Sequence, residues 1–253
     1  MVVLVTVVTF LLISCSPTLT STPIPPTSTP VPTNTPVPSP TLQPVQAVKV
    51  SFVAADGVKV SGTLYIGEEQ NDIGVVLAHM GVPGTDQTSW TSFAQHAARQ
   101  GFSALTFNFR EDRSRLDLDV RAAVDFLRDR SLQRIVCMGA SMGGTACLKA
   151  AVDSDLAGLV VISSLWSTGI GSSGGALFMS RRELAQLTIP KLFVTTEFDD
   201  NGVPFTMKSM YKAAPEPKAF EMFPGSVHGT DIFSTPQGEE FRDLLIDFLE
   251  KLR

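Results

Sequence analysis

Ser141 lies in a segment whose composition suits a catalytic nucleophile. The segment RIVCMGASMGGTACLKAAV places this serine between Gly139 and Gly143, after an apolar strand-like run and before a helix-like run. In a sharp strand–turn–helix connection, glycine on both sides removes collisions that larger side chains would suffer. The hydroxyl then stands at a helix N-terminus, where the N–H of Met142 can stabilise an oxyanion. The pattern G-x-S-x-G predicts a nucleophile, and an ordinary tight turn is the alternative.

A serine hydroxyl needs a general base, and the chain has three histidines. His96 falls inside the helix-like stretch SFAQHAARQ, away from any strand end, which favours a structural role. His79 ends the apolar run IGVVLAH. His228 follows the last strand-like run, in FPGSVHGTDIF, and this loop can bring an imidazole to the serine. We therefore predict that His228 is the base.

An acid behind the imidazole would hold its tautomer and stabilise the imidazolium. The segment KLFVTTEFDDNGVP supplies Asp199 and Asp200 directly after a strand-like run, while Glu197 is expected to lie on the strand itself. Both aspartates remain candidates on these grounds. The order along the chain is serine, acid, histidine.

The elements that must position these residues alternate from residue 48 onward. Two β-rich runs around Asp56-Gly57 predict a hairpin, and repeated strand–helix units follow it. This order predicts an α/β domain over 47–253, with a mostly parallel sheet and helices on both faces. Sites in such sheets form at the carboxyl ends of the strands. Ser141, His228 and the two aspartates each fall just after an apolar run, as that rule requires.

The first 48 residues carry no charged side chain and have a different organisation. Residues 1–15 are typical of a signal peptide, and their end, Leu12-Ile13-Ser14-Cys15, resembles the lipobox of bacterial lipoproteins. That resemblance implies lipidation of Cys15; a plain secretory signal or an uncleaved anchor helix is the alternative. Residues 16–46 are rich in proline and threonine, which predicts a disordered, extended linker. The expected location is extracytoplasmic, on a bacterial membrane through the lipid.

The other two cysteines fall in apolar surroundings. Cys137 lies in the strand before Ser141, and Cys147 lies in the helix after it. We expect both to be small buried hydrophobic residues rather than a disulfide.

The chain resembles the α/β-hydrolase superfamily from about residue 50 to its end, most closely compact dienelactone-hydrolase-like or prolyl-oligopeptidase-like esterases. The resemblance rests on VVLAHMGVPG, GASMGG, VTTEFDDNGVP and PGSVHG, in that order. It implies an α/β-hydrolase fold in which Ser141 is the nucleophile and His228 the base. It favours Asp199 as the acid, with Asp200 as the alternative. A cysteine nucleophile, as in dienelactone hydrolases proper, is not present.

The resemblance also implies an oxyanion hole. One N–H comes from Met142, and the second comes from the loop after His79, at Met80 or Gly81. His79 would then be a structural member of that loop. The family usually has His-Gly here, whereas this chain has His-Met-Gly.

The resemblance implies a serine hydrolase that cleaves carboxylic esters through an acyl-enzyme. A peptidase, an acyltransferase or a non-catalytic surface-binding domain are the alternatives. The segment before the acid strand is too short for a cap domain, so we expect an open site. Its apolar residues either line an acyl pocket or pack the loop onto the core: Trp166, Leu177, Phe178 and Met179.

Composition narrows the choice of partners. The net charge is −5 and no basic cluster is present, which argues against nucleic acid. The sequence has no phosphate-binding loop and no metal-ligand spacing, so no cofactor or metal is expected. The expected partners are a small-molecule ester and, through the anchor, a membrane.

Overall fold

The computed structural model describes residues 44–68, 71–169 and 175–253. The signal segment with Cys15, and the linker as far as residue 43, lie outside the described residues, so the expectations for them stay predictions. The first strand begins at Ala47.

One eight-stranded sheet, in the order β1-β2-β4-β3-β5-β6-β7-β8, forms the centre of the described domain. β1 pairs antiparallel with β2, β2 pairs antiparallel with β4, and all other neighbours are parallel. The strands are β1 Ala47–Val53, β2 Lys59–Tyr65, β3 Ile73–Ala78, β4 Ser103–Asn108, β5 Arg134–Ala140, β6 Gly158–Ile162, β7 Lys191–Thr196 and β8 Lys218–Phe223.

Helices cover both faces of this sheet. They are α1 Thr91–Arg99, α2 Leu116–Arg128, α3 Met142–Ala150, α4 Arg181–Leu184, α5 Val203–Ala213 and α6 Gly238–Glu250. The buried side chains of α1 and α6 share one hydrophobic core, and those of α2 to α5 share the other. The predicted mostly parallel sheet with helices on both faces is confirmed.

Burial explains why the central strands read as continuous apolar runs. Every residue of β3 and β6 is buried, because helices cover the sheet on both sides. Helix α2 is amphipathic because only one of its faces packs on the sheet. Val120, Val124 and Leu127 on that face are fully buried.

Parallel pairing brings those strand ends to one edge. Ala78 of β3 lies opposite Gly139 of β5, and Thr196 of β7 lies opposite Phe223 of β8. The loops after β3, β5, β7 and β8 therefore leave the sheet side by side. These are the loops that hold the candidate oxyanion residues, serine, acid and histidine.

The expectation for the two cysteines was wrong in one respect. Cys137 and Cys147 are fully buried, as expected, but they form a disulfide with Cα atoms 5.9 Å apart. The turn at Ser141 folds α3 back against β5, so residues ten apart in sequence face each other. That separation lies in the usual disulfide range, and composition alone does not reveal it. The disulfide therefore closes a loop around the candidate nucleophile.

Candidate active site

The turn between β5 and α3 holds Ser141 in an unusual backbone conformation. Its φ is +51° and its ψ is −117°, which is uncommon for a residue with a side chain. A Cβ atom on Gly139 would lie 2.3 Å from the carbonyl oxygen of Gly143, and one on Gly143 would lie 2.3 Å from that of Ala78. Close backbone approach therefore requires glycine at both positions. The tight turn leaves Ser141 half-buried at the N-terminus of α3.

Hydrogen bonds to the neighbouring strand β6 support this turn. The N–H of Ser141 donates to the carbonyl of Ile162 at 2.7 Å, and the hydroxyl of Ser164 donates to the carbonyl of Ser141 at 2.9 Å. Ser164 was not singled out from the sequence. Its position two residues after the end of β6, at the carboxyl edge, is the signal that could have identified it.

The structure brings Asp199 and His228 together. Nδ1 of His228 lies 2.8 Å from Oδ1 of Asp199, whose side chain is fully buried. Asp200 is exposed and begins a short 3-10 turn. Of the two aspartates that the sequence left as candidates, Asp199 is therefore the one that contacts the imidazole. Its hydrogen bond raises the pKa of His228, because the carboxylate stabilises the imidazolium more than burial destabilises it.

The carboxylate of Asp199 is shielded from solvent. The second carboxylate oxygen of Asp199, Oδ2, is buried and has no hydrogen-bond partner among the described residues. The His228 ring is the group that hydrogen-bonds to this carboxylate and is placed to offset its negative charge.

The histidine loop packs against the nucleophile turn. A Cβ atom on Gly229, directly after His228, would lie 3.3 Å from Cβ of Ala140, directly before Ser141. The hydroxyl of Thr196, at the end of β7, donates to the carbonyl of Val227 at 2.8 Å and holds this loop to the sheet. Within the described part of the chain, the His228 ring hydrogen-bonds to Asp199. No hydrogen bond there joins this ring to the Ser141 hydroxyl. Such bonds commonly shorten only when substrate is bound.

Both ring nitrogens of His79 are used within the fold. Nδ1 lies 2.7 Å from the carbonyl oxygen of Met80, and Nε2 accepts the N–H of Phe109 at 3.2 Å. Only a neutral ring with the proton on Nδ1 satisfies both contacts. Burial lowers the pKa of His79, which favours this neutral form. His79 therefore organises the loop after β3 and is not available as a base.

The same loop is held at the carbonyl groups of Met80 and Gly81. The Met80 carbonyl accepts from His79 and also from the Thr85 hydroxyl at 2.9 Å. The Gly81 carbonyl accepts from Arg113 Nη2 at 3.1 Å. Fixing these carbonyls also fixes the directions of the N–H groups in the same peptide planes. The Met80 side chain is buried against the histidine loop, and the backbone of Gly81 lies beside Met142.

Arg113 links this loop to the segment after β6. Its Nη1 donates to the carbonyl of Thr168 at 3.4 Å, while the Thr168 hydroxyl donates to the carbonyl of Arg113 at 3.1 Å. A pocket of about 250 Å³ lies here, lined in part by Gly81, Val82, Arg113 and Met142. Arg113 was not identified from the sequence, since it lies in a short 3-10 turn with no motif.

The apolar residues after β6 divide between the two roles left open. Leu177 and Met179 are buried in the core, and Trp166 is partly buried beside it. Phe178 lies between them and is 65% exposed. Three of the four therefore pack the segment, and Phe178 alone faces outward. His96 lies on α1, as expected.

The described residues hold neither a metal-binding cluster nor a membrane-spanning helix. No group of three or more His, Cys, Asp or Glu side chains within them is arranged to hold a metal ion. None of the helices in this part of the chain is long and apolar enough to cross a membrane.

Solved structures share this architecture. A dienelactone hydrolase from Anabaena variabilis has a TM-score of 0.67 and 19% identity, covering 82% of this chain and 98% of its own. An esterase from Pyrococcus furiosus has a TM-score of 0.67 and 16% identity, covering 82% and 91%. The esterase domain of a Rhodothermus marinus protein has a TM-score of 0.62 and 17% identity, covering 78% and 98%. At these identities the likeness establishes the fold.

The sequence comparisons give the family. No curated protein matches this chain. The profile of the alpha/beta hydrolase family matches residues 75–249, which include the turn at Ser141, the Asp199 loop and the His228 loop. Together with the eight-stranded sheet and its helices, this match shows that the chain belongs to the alpha/beta hydrolase family.

Proposed function

We propose that this protein is a serine hydrolase that cleaves carboxylic esters through an acyl-enzyme. The observation that carries the proposal is the 2.8 Å contact between His228 and the buried Asp199, in a loop packed against the strained turn of Ser141. Similarity in fold to two proteins named as esterases and to a dienelactone hydrolase supports the choice of esters.

The hydrogen bond that His228 already makes assigns a role to each of its two ring nitrogens. Nδ1 of His228 is bound to Asp199, so Nε2 is the nitrogen left for the serine. In the first step Nε2 takes the Ser141 proton as the oxygen bonds to the ester carbonyl carbon. The imidazolium then gives that proton to the leaving alcohol as the carbon–oxygen bond breaks. A water deprotonated by the same nitrogen hydrolyses the acyl-enzyme and restores the serine.

The oxyanion formed in each step needs two N–H donors. Met142 supplies the first from the N-terminus of α3. For the second we propose Gly81, with Met80 as the alternative. The Gly81 N–H belongs to the peptide whose carbonyl, that of Met80, is held by His79 and Thr85. A donor fixed in advance costs little reorganisation during the reaction.

The test is the Ser141→Ala variant of the full chain with p-nitrophenyl acetate. We expect turnover to fall by at least about 10³-fold while the circular dichroism spectrum is retained. Ser51→Ala, an exposed serine on β1, is the matched control and should keep full activity. Equal turnover by the two variants would refute the assignment.

A fluorophosphonate probe separates this enzyme from a non-catalytic scaffold. Such probes react covalently with an activated serine, so the natural chain should be labelled and Ser141→Ala should not. Peptide anilides and alcohol acceptors, run beside the esters, test amide cleavage and acyl transfer by the same residues.

We also propose that the protein works outside the cytoplasm, anchored through Cys15. The Cys137–Cys147 disulfide supports this location, because disulfides persist mainly in oxidising compartments. The Cys15→Ser variant, expressed in a bacterial host, should move from the membrane fraction to the soluble fraction. Retention of the variant in membranes would contradict lipid anchoring at this position.

A further inference from the structure

Three phenylalanine side chains stand out of the domain at the edge of the proposed active site. Phe178 is 65% exposed, Phe198 is 71% exposed and Phe205 is 80% exposed. Among the described residues, these are the phenylalanines that count as exposed, and the other large exposed apolar side chains are valines. All three follow strands at the carboxyl edge of the sheet. We refer to Phe178, Phe198 and Phe205 as the phenylalanine rim.

The rim adjoins the candidate catalytic residues. Phe198 directly precedes Asp199, which holds the imidazole of His228. Phe205 lies in the first turn of α5, and Ser209 lies one turn further along the same helix face. The Ser209 hydroxyl accepts from Arg181 at 2.6 Å, and Arg181 lies three residues after Phe178. This contact joins the segment that follows Phe178 to the helix that holds Phe205.

The fold does not need these side chains in its core. Leu177 and Met179 point inward on either side of Phe178, as alternation along an extended segment requires. α5 packs on the sheet through Val203 and Met207, which leaves Phe205 on the opposite face. Exposed phenylalanine is unfavourable in water, and several large aromatic side chains left exposed in one region mark a candidate binding site.

Charges around the rim indicate what binds there. Glu197 and Asp200 are exposed on either side of the Phe198–Asp199 pair. The two carboxylates lie beside Phe198, whereas the exposed cations Arg181 and Lys208 lie three residues after Phe178 and Phe205. Charges of both signs therefore surround the rim, and neither an anion nor a cation is favoured by charge. A neutral hydrocarbon chain gains from contact with the aromatic rings and has no charge to be repelled.

We propose that the phenylalanine rim binds the hydrocarbon chain of the ester, so that the substrates are neutral esters with a long aliphatic or aromatic group. This inference rests on the proposed function. The chain would leave the ester carbonyl at Ser141 and lie over the rim. Each methylene removed from water can raise kcat/KM by up to about fourfold.

The experiment measures kcat/KM of the full chain for p-nitrophenyl acetate, butyrate and octanoate, all below their solubility limits. A second series of alkyl acetates separates binding of the acyl chain from binding of the alcohol chain. We expect at least a tenfold preference for the longest ester in one of the two series. In a Phe178→Ser, Phe198→Ser, Phe205→Ser variant this ratio should fall at least tenfold. Val53→Ser, a 63% exposed valine on β1, is the control and should keep the ratio.

Four results would overturn the proposal. The first is that the natural chain shows no preference for longer esters, and the second is that the rim variant keeps the same ratio. The third is a rate increase that appears only when the ester forms a separate phase, and the fourth is a change in solution mass in the rim variant. The third would assign the rim to a lipid surface and the fourth to a second copy of the chain. Failure of the natural chain to hydrolyse any ester would instead refute the proposed function.

Discussion

His228 and Asp199 form a 2.8 Å contact between Nδ1 and Oδ1, although 29 residues separate them in the sequence. The carboxylate is fully buried, whereas the imidazole is partly accessible. The pair therefore combines a shielded charge with a ring that can still exchange protons with a ligand. This arrangement determines the pH dependence of the proposed reaction.

The pH profile should have an acidic limb set by His228. The base must be neutral to take the serine proton, and the Asp199 contact raises its pKa above the ordinary value of about 6.5. Activity should therefore be lost as the pH falls through the raised pKa and recovered above it. Measuring kcat/KM for p-nitrophenyl acetate across the pH range reports this value for the free enzyme. An acidic limb well below the ordinary histidine value would contradict the geometry.

Replacing the acid should distinguish the two neighbouring aspartates. Asp199→Asn removes the charge behind the ring, so kcat should fall by roughly 10⁴-fold and the acidic limb should move to lower pH. Asp200→Asn is the matched control. Its side chain is exposed and affects His228 only as a minor charge at a distance, so we expect little loss. A larger loss in Asp200→Asn than in Asp199→Asn would reassign the acid.

Arg113 should affect catalysis through the oxyanion loop. Arg113→Met removes the hydrogen bonds to the Gly81 and Thr168 carbonyls, and we expect kcat to fall roughly tenfold with a smaller change in KM. Arg113→Lys should restore only part of the rate, because one ammonium group does not reproduce a guanidinium fork. The control is Arg115→Met, an exposed arginine in the same 3-10 turn. Equal effects of Arg113→Met and Arg115→Met would show that the loop does not depend on this contact.

The disulfide should stabilise the domain by closing the loop around Ser141. For the ten-residue separation between Cys137 and Cys147, the loss of chain entropy in the unfolded state predicts about 2 to 3 kcal/mol. Urea unfolding of the natural chain should show a lower midpoint when a reductant is present. The Cys137→Ala, Cys147→Ala variant should have a low midpoint that does not respond to reductant. Identical midpoints of the natural chain in both conditions would argue against the bond.

Gly143, two residues after Ser141, should tolerate no side chain. In Gly143→Ala the new methyl group would press on the carbonyl groups of Ala78 and His79, which are backbone atoms that cannot rotate away. We expect roughly 1 to 3 kcal/mol less stability and loss of most esterase activity. Gly158→Ala is the control, because its methyl would meet only the ends of the Leu252 and Phe248 side chains. A fully active Gly143→Ala protein would show that the turn is less tightly packed than described.

Local patterns predicted most of the fold because apolar residues recur in the sequence with the spacing of the buried face of each strand or helix. The predicted hairpin around Asp56-Gly57 joins β1 to β2, and His228 follows β8, the last strand, as its sequence context predicts. The turn at Ser141 was also recognisable, since the clash at Gly139 and Gly143 is local. The disulfide was missed because the approach of Cys137 to Cys147 depends on how α3 folds back on β5.

By itself, the sequence determined the alternation of strands and helices, the glycines at the serine turn and the strand ends that carry candidate residues. These depend on contacts within a few residues. Only the tertiary structure decided that Asp199 rather than Asp200 contacts His228, that Arg113 holds the Gly81 carbonyl, and that Phe178 faces outward between two buried neighbours. Those outcomes depend on where separate loops meet at the sheet edge, and the chain's local preferences do not encode those distances.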